Sequence, residues 1–423
     1  MAAILFGIAA VFLLLQMRLY KSNATMKAIC IGLLSISFYF IIILKSRIVW
    51  IGIVLVIATI KIATKQWRLN KVLPAILILL FAACVGIGLF YKTDSTLGRL
   101  FIYKIDLLII GDHWFTGIHQ PFNTVYNHTQ AEWFSSNMHH NSKELLLASN
   151  GFFVFNEWLH AFILFGILGF ITAVLATVFF IKECFRQLRT NANKAPFIGV
   201  AFFILVTAMV SYPFSFGIYT CIFLCCLLYI ISDASWYPFK KNKRVITSCL
   251  YVGIITFFTV RDTKDFLIEK DIEKLKQQFS NGRIDEALQH ALQLGNTVTD
   301  NGQLYELIGK IYLQKNNTDA AIHYIEKAHH WLCTDERHCL WGNCLTEQNK
   351  LYEAGSHYQM AVSIVPCRFR NRMLLLNNLI SLQEKDKALA CAKAMIDLPE
   401  KIPSAQTATY KQHARKLYLD LKK

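Results

Sequence analysis

The first 260 residues alternate between long apolar runs and short polar connections. Each run contains roughly 20 mostly apolar residues, the length that an α-helix needs to cross a bilayer. Eight runs predict membrane-spanning helices, at about 2–19, 26–45, 47–64, 72–91, 158–181, 196–212, 214–233 and 245–260. From residue 262 onward the chain is polar, charged and patterned for helices. We therefore predict an all-α protein with a polytopic membrane domain, residues 1–261, and a soluble domain, residues 262–423.

The soluble domain contains an internal repeat. The segment GKIYLQKNNTDAAIHYIEKA, residues 309–328, aligns with GNCLTEQNKLYEAGSHYQMA, residues 342–361, and its glycine and two alanines recur 33 positions later. Small residues at these offsets let two antiparallel helices pack closely, and the pattern resembles tetratricopeptide repeats. Weaker copies flank the pair. We predict three to four helix pairs stacked as an α-solenoid, whose usual role is to dock a partner protein.

Basic residues cluster in alternating connections of the membrane domain. They follow the first, third, fifth and seventh apolar runs, at 18–27, 61–71, 182–194 and 240–244. The positive-inside bias assigns these four connections to the cytoplasmic side. The loop 92–157 and the soluble domain are then expected in the periplasm of a Gram-negative cell. The first run carries its positive charges after the apolar stretch, so we predict a span there and not a cleaved signal peptide.

Composition narrows the classes of function. The chain is 54% hydrophobic and 17% charged, which excludes an ordinary soluble protein. Its net charge of +16 is carried largely by loops between apolar runs, so the excess indicates membrane orientation and not nucleic-acid binding. Twelve cysteines show no metal-binding spacing, and the histidine pair at 139–140 has no third ligand fixed by spacing. We predict no metal and no cofactor.

The loop 92–157 is too long for a simple connection and is expected to be functional. Residues 97–110 predict an amphipathic helix with Arg99 and Lys104 projecting from it. Its apolar face is expected to contain Leu97, Leu100, Phe101, Ile105 and Leu108. A glycine-containing turn, an aromatic stretch and several histidines follow. These histidines are candidates for a catalytic base: His113, His119, His128, His139 and His140.

Four features in order resemble the O-antigen ligase and polymerase superfamily of bacterial membrane glycosyltransferases. They are the pair Ser46-Arg47, the loop that opens with Arg99, GIHQPFNTVYNHTQAEWF (117–134) and FNEWLHAFILFGILGF (155–170). The family's last motif is histidine, then Asn, Ser or Gln, nine residues, Gly, two residues and Gly. Asn156, Gly166 and Gly169 keep those offsets, and the resemblance covers about 40–235. Phe155 occupies the position of the family's histidine.

The resemblance implies transfer of a glycan from an undecaprenyl-diphosphate carrier to an acceptor hydroxyl on lipid, glycan or protein. Planar guanidinium groups suit the departing diphosphate, so Arg99 is the predicted catalytic clamp and Arg47 a substrate-binding residue, unless Arg47 is only an interfacial anchor.

The acceptor hydroxyl needs a base, for which we consider His160 and Glu157. On a helix, Asn156 and His160 share a face, with Glu157 rotated away. Asn156 is therefore a predicted substrate-binding residue, together with His119 and His128. A helix N-cap at Asn156 is the alternative. We expect the two glycines to let a helix pack closely behind this site.

Two other kinds of function fit the sequence. A polysaccharide polymerase or a protein O-glycan ligase would share the topology and the motifs of the ligase. A non-catalytic membrane scaffold that recruits partners through the repeats would explain Phe155 in the histidine position. A transporter is disfavoured because the apolar runs show no paired broken helices and no acidic residue deep in the membrane.

Overall fold

The computed structural model describes residues 2–17, 24–63, 93–136, 142–232 and 243–422. All regular structure in these residues is helical, which confirms the predicted all-α class. Two 3₁₀ turns, Ala192–Lys194 and Pro213–Ser215, separate longer helices. The helices of the described residues are α1 (Ala2–Gln16), α2 (Ala24–Ile43), α3 (Arg47–Ala63), α4 (Thr93–His113), α5 (Phe122–Ser136), α6 (Ser142–Leu147), α7 (Glu157–Thr190), α8 (Ala195–Ala208), α9 (Gly217–Ile231), α10 (Lys243–Ser280), α11 (Ile284–Thr297), α12 (Gly302–Gln314), α13 (Thr318–Trp331), α14 (Asp335–Glu347), α15 (Leu351–Ile364), α16 (Phe369–Ser381), α17 (Lys385–Asp397) and α18 (Ala405–Lys422).

The chain divides into two compact units. The apolar unit comprises Met1–Thr96 and Val154–Asp265, and the solenoid unit comprises Leu97–Phe153 and Phe266–Lys423. The sequence grouped the whole loop 92–157 with the membrane helices. In the structure, most of that loop belongs to the same compact unit as the helical repeats.

Helix α8 is central to the apolar unit. It packs against α1, α3 and α9, and α1 also packs against α2 and α3. The ring of Phe203 on α8 is fully buried. A Cβ atom added at Gly7 of α1 or at Gly52 of α3 would lie only 2.3 or 2.8 Å from that ring. These two glycines therefore make room for a side chain whose burial contributes about 1.5–3 kcal/mol.

Three helices are long and apolar enough to cross a membrane: α2, α7 and Val245–Ser280 within α10. Helices α1, α8 and α9 are apolar but shorter. Seven of the eight predicted runs coincide with helices, and the run at 72–91 lies outside the described residues. The structure thus supports a helical membrane domain, whereas the predicted count of eight spans is not confirmed.

The solenoid unit repeats its helices at a regular interval. Helices α12 and α13 recur 33 residues later as α14 and α15, and these recur 34 residues later as α16 and α17. The turn inside each pair contains one residue at positive φ. These residues are Gly282, Asn316, Asn349 and Gln383, at the same place in four successive turns. Four stacked pairs therefore exist, including the two flanking copies that the sequence showed only weakly.

The 33-residue period has a packing cause. A Cβ atom added at Gly309 would lie 2.8 Å from Ile325, and one at Gly342 would lie 2.6 Å from Tyr358. In each pair the glycine lies against a large side chain of the antiparallel partner helix. The alanines of the repeat, Ala321, Ala328, Ala354 and Ala361, are fully buried. This arrangement confirms that small residues set the close approach of the two helices.

Candidate functional site

Asn156 caps the start of α7. Its Oδ1 accepts hydrogen bonds from the backbone N–H groups of Trp158 at 2.9 Å and Leu159 at 3.0 Å, and its Nδ2 donates to the carbonyl oxygen of Met209 at 3.0 Å. Both ends of the side chain are therefore used in the fold. The polar start of this apolar helix is explained first by the cap, which satisfies backbone donors that would otherwise be unpaired.

Glu157 and His160 form a pair beside the cap. The Oε2 atom of Glu157 lies 3.4 Å from Nδ1 of His160, and Oε1 accepts a hydrogen bond from the backbone N–H of Phe214 at 2.8 Å. The side chain of Asn156 caps its own helix, which is the alternative considered for this residue in the sequence. A carboxylate that is held by a backbone donor can orient an imidazole and stabilise its protonated form. The His160 side chain is 29% exposed, so a substrate can reach it.

The turn between α8 and α9 forms one side of this group. Tyr212 makes an edge-to-face contact with Phe155, with ring centroids 5.2 Å apart. Phe214, two residues further on, provides the backbone N–H that holds Glu157. Phe155, at the position where the family motif implies a histidine, therefore has an aromatic packing role. This turn therefore contacts the start of α7 through one aromatic ring and one backbone N–H group.

The glycines of α7 have a different role from the predicted one. Gly166 has φ 63° and ψ −160°, a backbone conformation that is essentially restricted to glycine, and the helix is kinked there. A Cβ atom at Gly169 would lie 2.3 Å from Cβ of Phe165 on the same helix. Gly166 thus permits a kink nearly two helical turns beyond His160. The atoms nearest to a Cβ at Gly169 belong to its own helix.

The two predicted arginines lie in different units. Arg47 is the first residue of α3 in the apolar unit and is half-buried. Arg99 lies near the start of α4 in the solenoid unit and is also half-buried. Burial raises the pKa of Tyr103, and the positive charge of Arg99 acts in the opposite direction. Each arginine is thus partly exposed within its own unit.

Helix α4 buries only part of the predicted apolar face. Phe101, Ile105 and Ile109 are buried, whereas Leu97, Leu100 and Leu108 are exposed. The buried face also contains Asp106, which is fully buried and has no hydrogen-bond partner for either carboxylate oxygen among the described residues. Burial raises the pKa of Asp106 to about 8, so the carboxyl group is largely neutral at pH 7. Sequence reasoning missed this residue because it assumed that a charged residue would face solvent.

A row of amides on α5 joins the loop to the repeats inside the solenoid unit. Asn127 donates to the carbonyl oxygen of Cys333 at 2.6 Å and accepts from the backbone N–H of Gly151 at 2.9 Å. Gln130 donates to the carbonyl oxygen of Ile364 at 2.6 Å. Both amides are fully buried. We call this set, Asn127 and Gln130 with their partners, the amide seam.

The loop histidines occupy different environments. His119 is exposed in the turn between α4 and α5, and His113 is exposed at the end of α4. His128 is half-buried and contacts His329 of the repeats, with ring centroids 6.2 Å apart. Among the described residues, the ligand atoms of these two and of Cys333 converge closely enough to hold a metal ion. The candidates His139 and His140 lie outside the described residues.

A cavity of about 580 Å³ lies within the solenoid unit. Asn150 and Phe152 of the loop line it together with side chains of the repeats. Two ion pairs lie in its wall: Arg337 with Glu306 at 2.7 Å, and Arg368 with Glu336 at 2.8 Å. These four charged side chains of the wall are therefore paired with one another.

These features define an all-helical protein that combines apolar, membrane-type helices with a solenoid of helix pairs. Residues 31–174 match the family model described as O-Antigen ligase. The matched segment begins in α2, includes the loop and ends in α7, so it contains every predicted site residue. For this segment, the match confirms the resemblance found in the sequence.

Solved structures also show similarity to parts of the chain. The structure titled "Crystal structure of MamA" is 16% identical and covers 35% of this chain and 91% of its own, with a TM-score of 0.28. A second structure, titled "Crystal structure of MamA protein", is 14% identical and covers 46% of this chain and 94% of its own, with a TM-score of 0.29. The Pseudomonas aeruginosa pilF structure is 13% identical and covers 56% of this chain and 96% of its own, with a TM-score of 0.30. A comparison with curated proteins found no match.

Proposed function

We propose that this protein is an O-antigen ligase-like glycosyltransferase of the bacterial inner membrane. It transfers a glycan from an undecaprenyl-diphosphate carrier to an acceptor hydroxyl at the periplasmic face. The observation that carries the proposal is the O-antigen ligase family domain at residues 31–174. The alternating basic loops support a periplasmic location for the loop and for the solenoid unit.

Arg99 is proposed to bind the diphosphate as it leaves. Negative charge accumulates on the diphosphate while the bond to the sugar breaks, and a guanidinium group can hold two of its oxygen atoms at once. Arg47, at the start of α3, is proposed to bind the carrier's diphosphate as well. Neither arginine is proposed to need a metal ion for this role.

His160 is proposed to accept the proton of the acceptor hydroxyl. Glu157 would stabilise the imidazolium that forms, since its carboxylate lies 3.4 Å from Nδ1. The backbone N–H of Phe214 holds Glu157 in place, and the cap at Asn156 fixes the first turn of the helix that carries both. This pair supplies a base in a chain that has Phe155 at the family's histidine position.

The remaining predicted residues have more limited roles in the proposal. Asn156 is a positioning residue, because its side chain is occupied by the cap and by Met209. His119 is exposed and is retained as a contact of the glycan. His128 faces the repeats, so we assign it a structural role. The acceptor is a glycan, a lipid or a protein, and the solenoid unit is proposed to hold the acceptor or a partner protein near the membrane.

The test is complementation of a deletion strain. Wild type, Arg99→Ala, His160→Ala and Glu157→Gln are expressed at matched membrane levels, and surface and protein-linked glycans are separated on gels. Arg283→Ala and His413→Ala, at exposed positions of the solenoid unit, are the matched controls.

We expect loss of product for Arg99→Ala and His160→Ala, partial loss for Glu157→Gln, and full activity for both controls. The type of product then distinguishes a ligase from a polymerase or a protein O-glycan ligase. Full restoration by Arg99→Ala and His160→Ala would refute the proposed chemistry and would favour the non-catalytic scaffold.

A further inference from the structure

Potential metal ligands from three segments converge in the solenoid unit. They are His128 on α5, His329 on α13, and Cys333 immediately after α13. Their ligand atoms all lie within 4.8 Å of one another. The thiol of Cys333 also lies 3.6 Å from Nε2 of His338, a buried residue on α14. One sulfur and two imidazole nitrogens therefore surround one small volume, and a third imidazole, that of His338, contacts the sulfur.

His329 supports a ligand at this place. Its Nδ1 is buried and has no hydrogen-bond partner among the described residues. A buried polar atom without a partner is unfavourable and is uncommon in folded proteins. The neighbouring groups are imidazole rings: the centroid of His338 is 4.8 Å away and that of His128 is 6.2 Å away. A metal ion would give several of these nitrogens a common partner.

The backbone holds the ligands in place. Asn127, adjacent to His128, donates a hydrogen bond to the carbonyl oxygen of Cys333 at 2.6 Å. This bond fixes α5 relative to the end of α13. Beyond the cluster, Nδ1 of His338 lies 3.0 Å from Nδ1 of His357. Such a bond orients the other nitrogen of His338 toward the thiol, as outer partners do in known metal sites.

We propose that His128, His329, Cys333 and His338 bind a Zn²⁺ ion that joins the ligase-domain loop to the helical repeats. Zinc prefers four nitrogen and sulfur ligands in a tetrahedron, at about 2.0–2.1 Å from nitrogen and about 2.3 Å from sulfur. Ligand atoms around zinc are then roughly 3.3–3.8 Å apart, so small side-chain rotations are enough to close the site. Sequence spacing could not reveal this set, because its members are as far apart as residues 128 and 338.

The protonation states fit a zinc site. Burial lowers the pKa of His329 to about 4 and that of His338 to about 2, so both imidazoles are neutral and have a lone pair at pH 7. Burial raises the pKa of the Cys333 thiol to about 12, so the thiol must release one proton to the solvent as the zinc–sulfur bond forms. The positive charge of the nearby Arg337 is offset by Glu306 at 2.7 Å.

The experiment uses the full-length protein in detergent. Chelator-treated protein is titrated with Zn²⁺ against a chromophoric competitor, and with Co²⁺ as a spectroscopic probe. The variants are Cys333→Ser, His329→Gln and His357→Gln. His323→Gln is the matched control, because it lies on the same helix α13 but is exposed. Circular dichroism and thermal unfolding compare the folding of all proteins.

We expect one Zn²⁺ per wild-type chain and a tetrahedral Co²⁺ spectrum with thiolate charge transfer. Cys333→Ser should lose the charge-transfer band, and His329→Gln should bind Zn²⁺ at least tenfold more weakly. His357→Gln, a positioning variant, should weaken binding about 10–100-fold while keeping the charge-transfer band. His323→Gln should match wild type.

Absence of stoichiometric Zn²⁺ binding by the wild type would overturn the proposal, even if the variants fail to fold. Binding that is equal in wild type and folded Cys333→Ser would also overturn it. The readout is independent of glycan transfer, so failure of the zinc site and failure of the proposed activity are separate results.

Discussion

Replacing Asn127 with alanine removes the centre of the amide seam. The side chain is fully buried and makes two hydrogen bonds, to the carbonyl oxygen of Cys333 at 2.6 Å and from the backbone N–H of Gly151 at 2.9 Å. Each buried group left without a partner costs about 1–3 kcal/mol, which gives about 2–6 kcal/mol for the two. Entry of water relieves part of this, so we expect a loss of about 2 kcal/mol in the local stability of α5.

Hydrogen exchange measured by mass spectrometry tests this loss. A change of about 2 kcal/mol corresponds to a roughly 30-fold increase in the exchange rates of the α5 amides. Asn377→Ala is the control, because Asn377 is exposed on another helix of the same unit. The change should be confined to α5 and the segments that it contacts. Exchange in Phe122–Ser136 equal to that of wild type would show that the amide seam does not hold the loop on the repeats.

Three further predictions concern stability, read by thermal unfolding in detergent. Gly342→Val should destabilise the solenoid unit by about 1–3 kcal/mol, because even the Cβ of the valine would lie 2.6 Å from Tyr358. Unchanged stability would contradict the explanation that close packing sets the repeat period. Gly166→Ala should cost about 1–3 kcal/mol because of its φ of 63°, and unchanged stability would mean that α7 is straight there. Burial raises the pKa of Asp106 from 3.8 to about 8, so the folded state keeps a proton that the unfolded state releases. The stabilisation that this bound proton provides is therefore complete below about pH 4. As the pH rises from about 4 to about 8, the free energy of unfolding falls by about 1.4 kcal/mol per pH unit, until the contribution is lost. Asp106→Asn should reduce this pH dependence of stability. An unchanged profile of stability against pH would contradict the claim that Asp106 keeps its proton in the folded state.

The sequence predicted those features of the fold that repeat or that are uniformly apolar. Seven apolar runs became helices because an apolar run of this length has few alternatives to helix in a membrane. The repeat was predictable because Gly309 and Gly342 meet large side chains at equal offsets. The motif around Asn156 was likewise visible, and it lies within the segment that matches the O-antigen ligase family model.

Other features depend on tertiary contacts that no local pattern encodes. Asn127 and Gln130 look like solvent-exposed residues of a polar helix, yet their partners lie more than 200 positions further along the chain. The predicted apolar face of α4 is buried at Phe101 and Ile105, but the pattern did not indicate that Asp106 is buried beside them. Glu157 and His160 are three residues apart on one helix, whereas the hydrogen bond from the backbone of Phe214 that holds Glu157 could not be read from spacing.

The most direct measurement is glycan transfer by the purified full-length protein. A labelled glycan on undecaprenyl diphosphate is incubated with acceptor, and release of the carrier diphosphate is followed together with labelled product. We predict transfer by wild type without added cofactor, and a decrease in kcat of about 10²–10³-fold for Arg99→Ala. His160→Ala should lose about 10²–10⁴-fold, and Arg283→Ala should keep wild-type activity. If Arg99→Ala and His160→Ala both retain the wild-type rate, the proposed roles of these two residues in glycan transfer are contradicted.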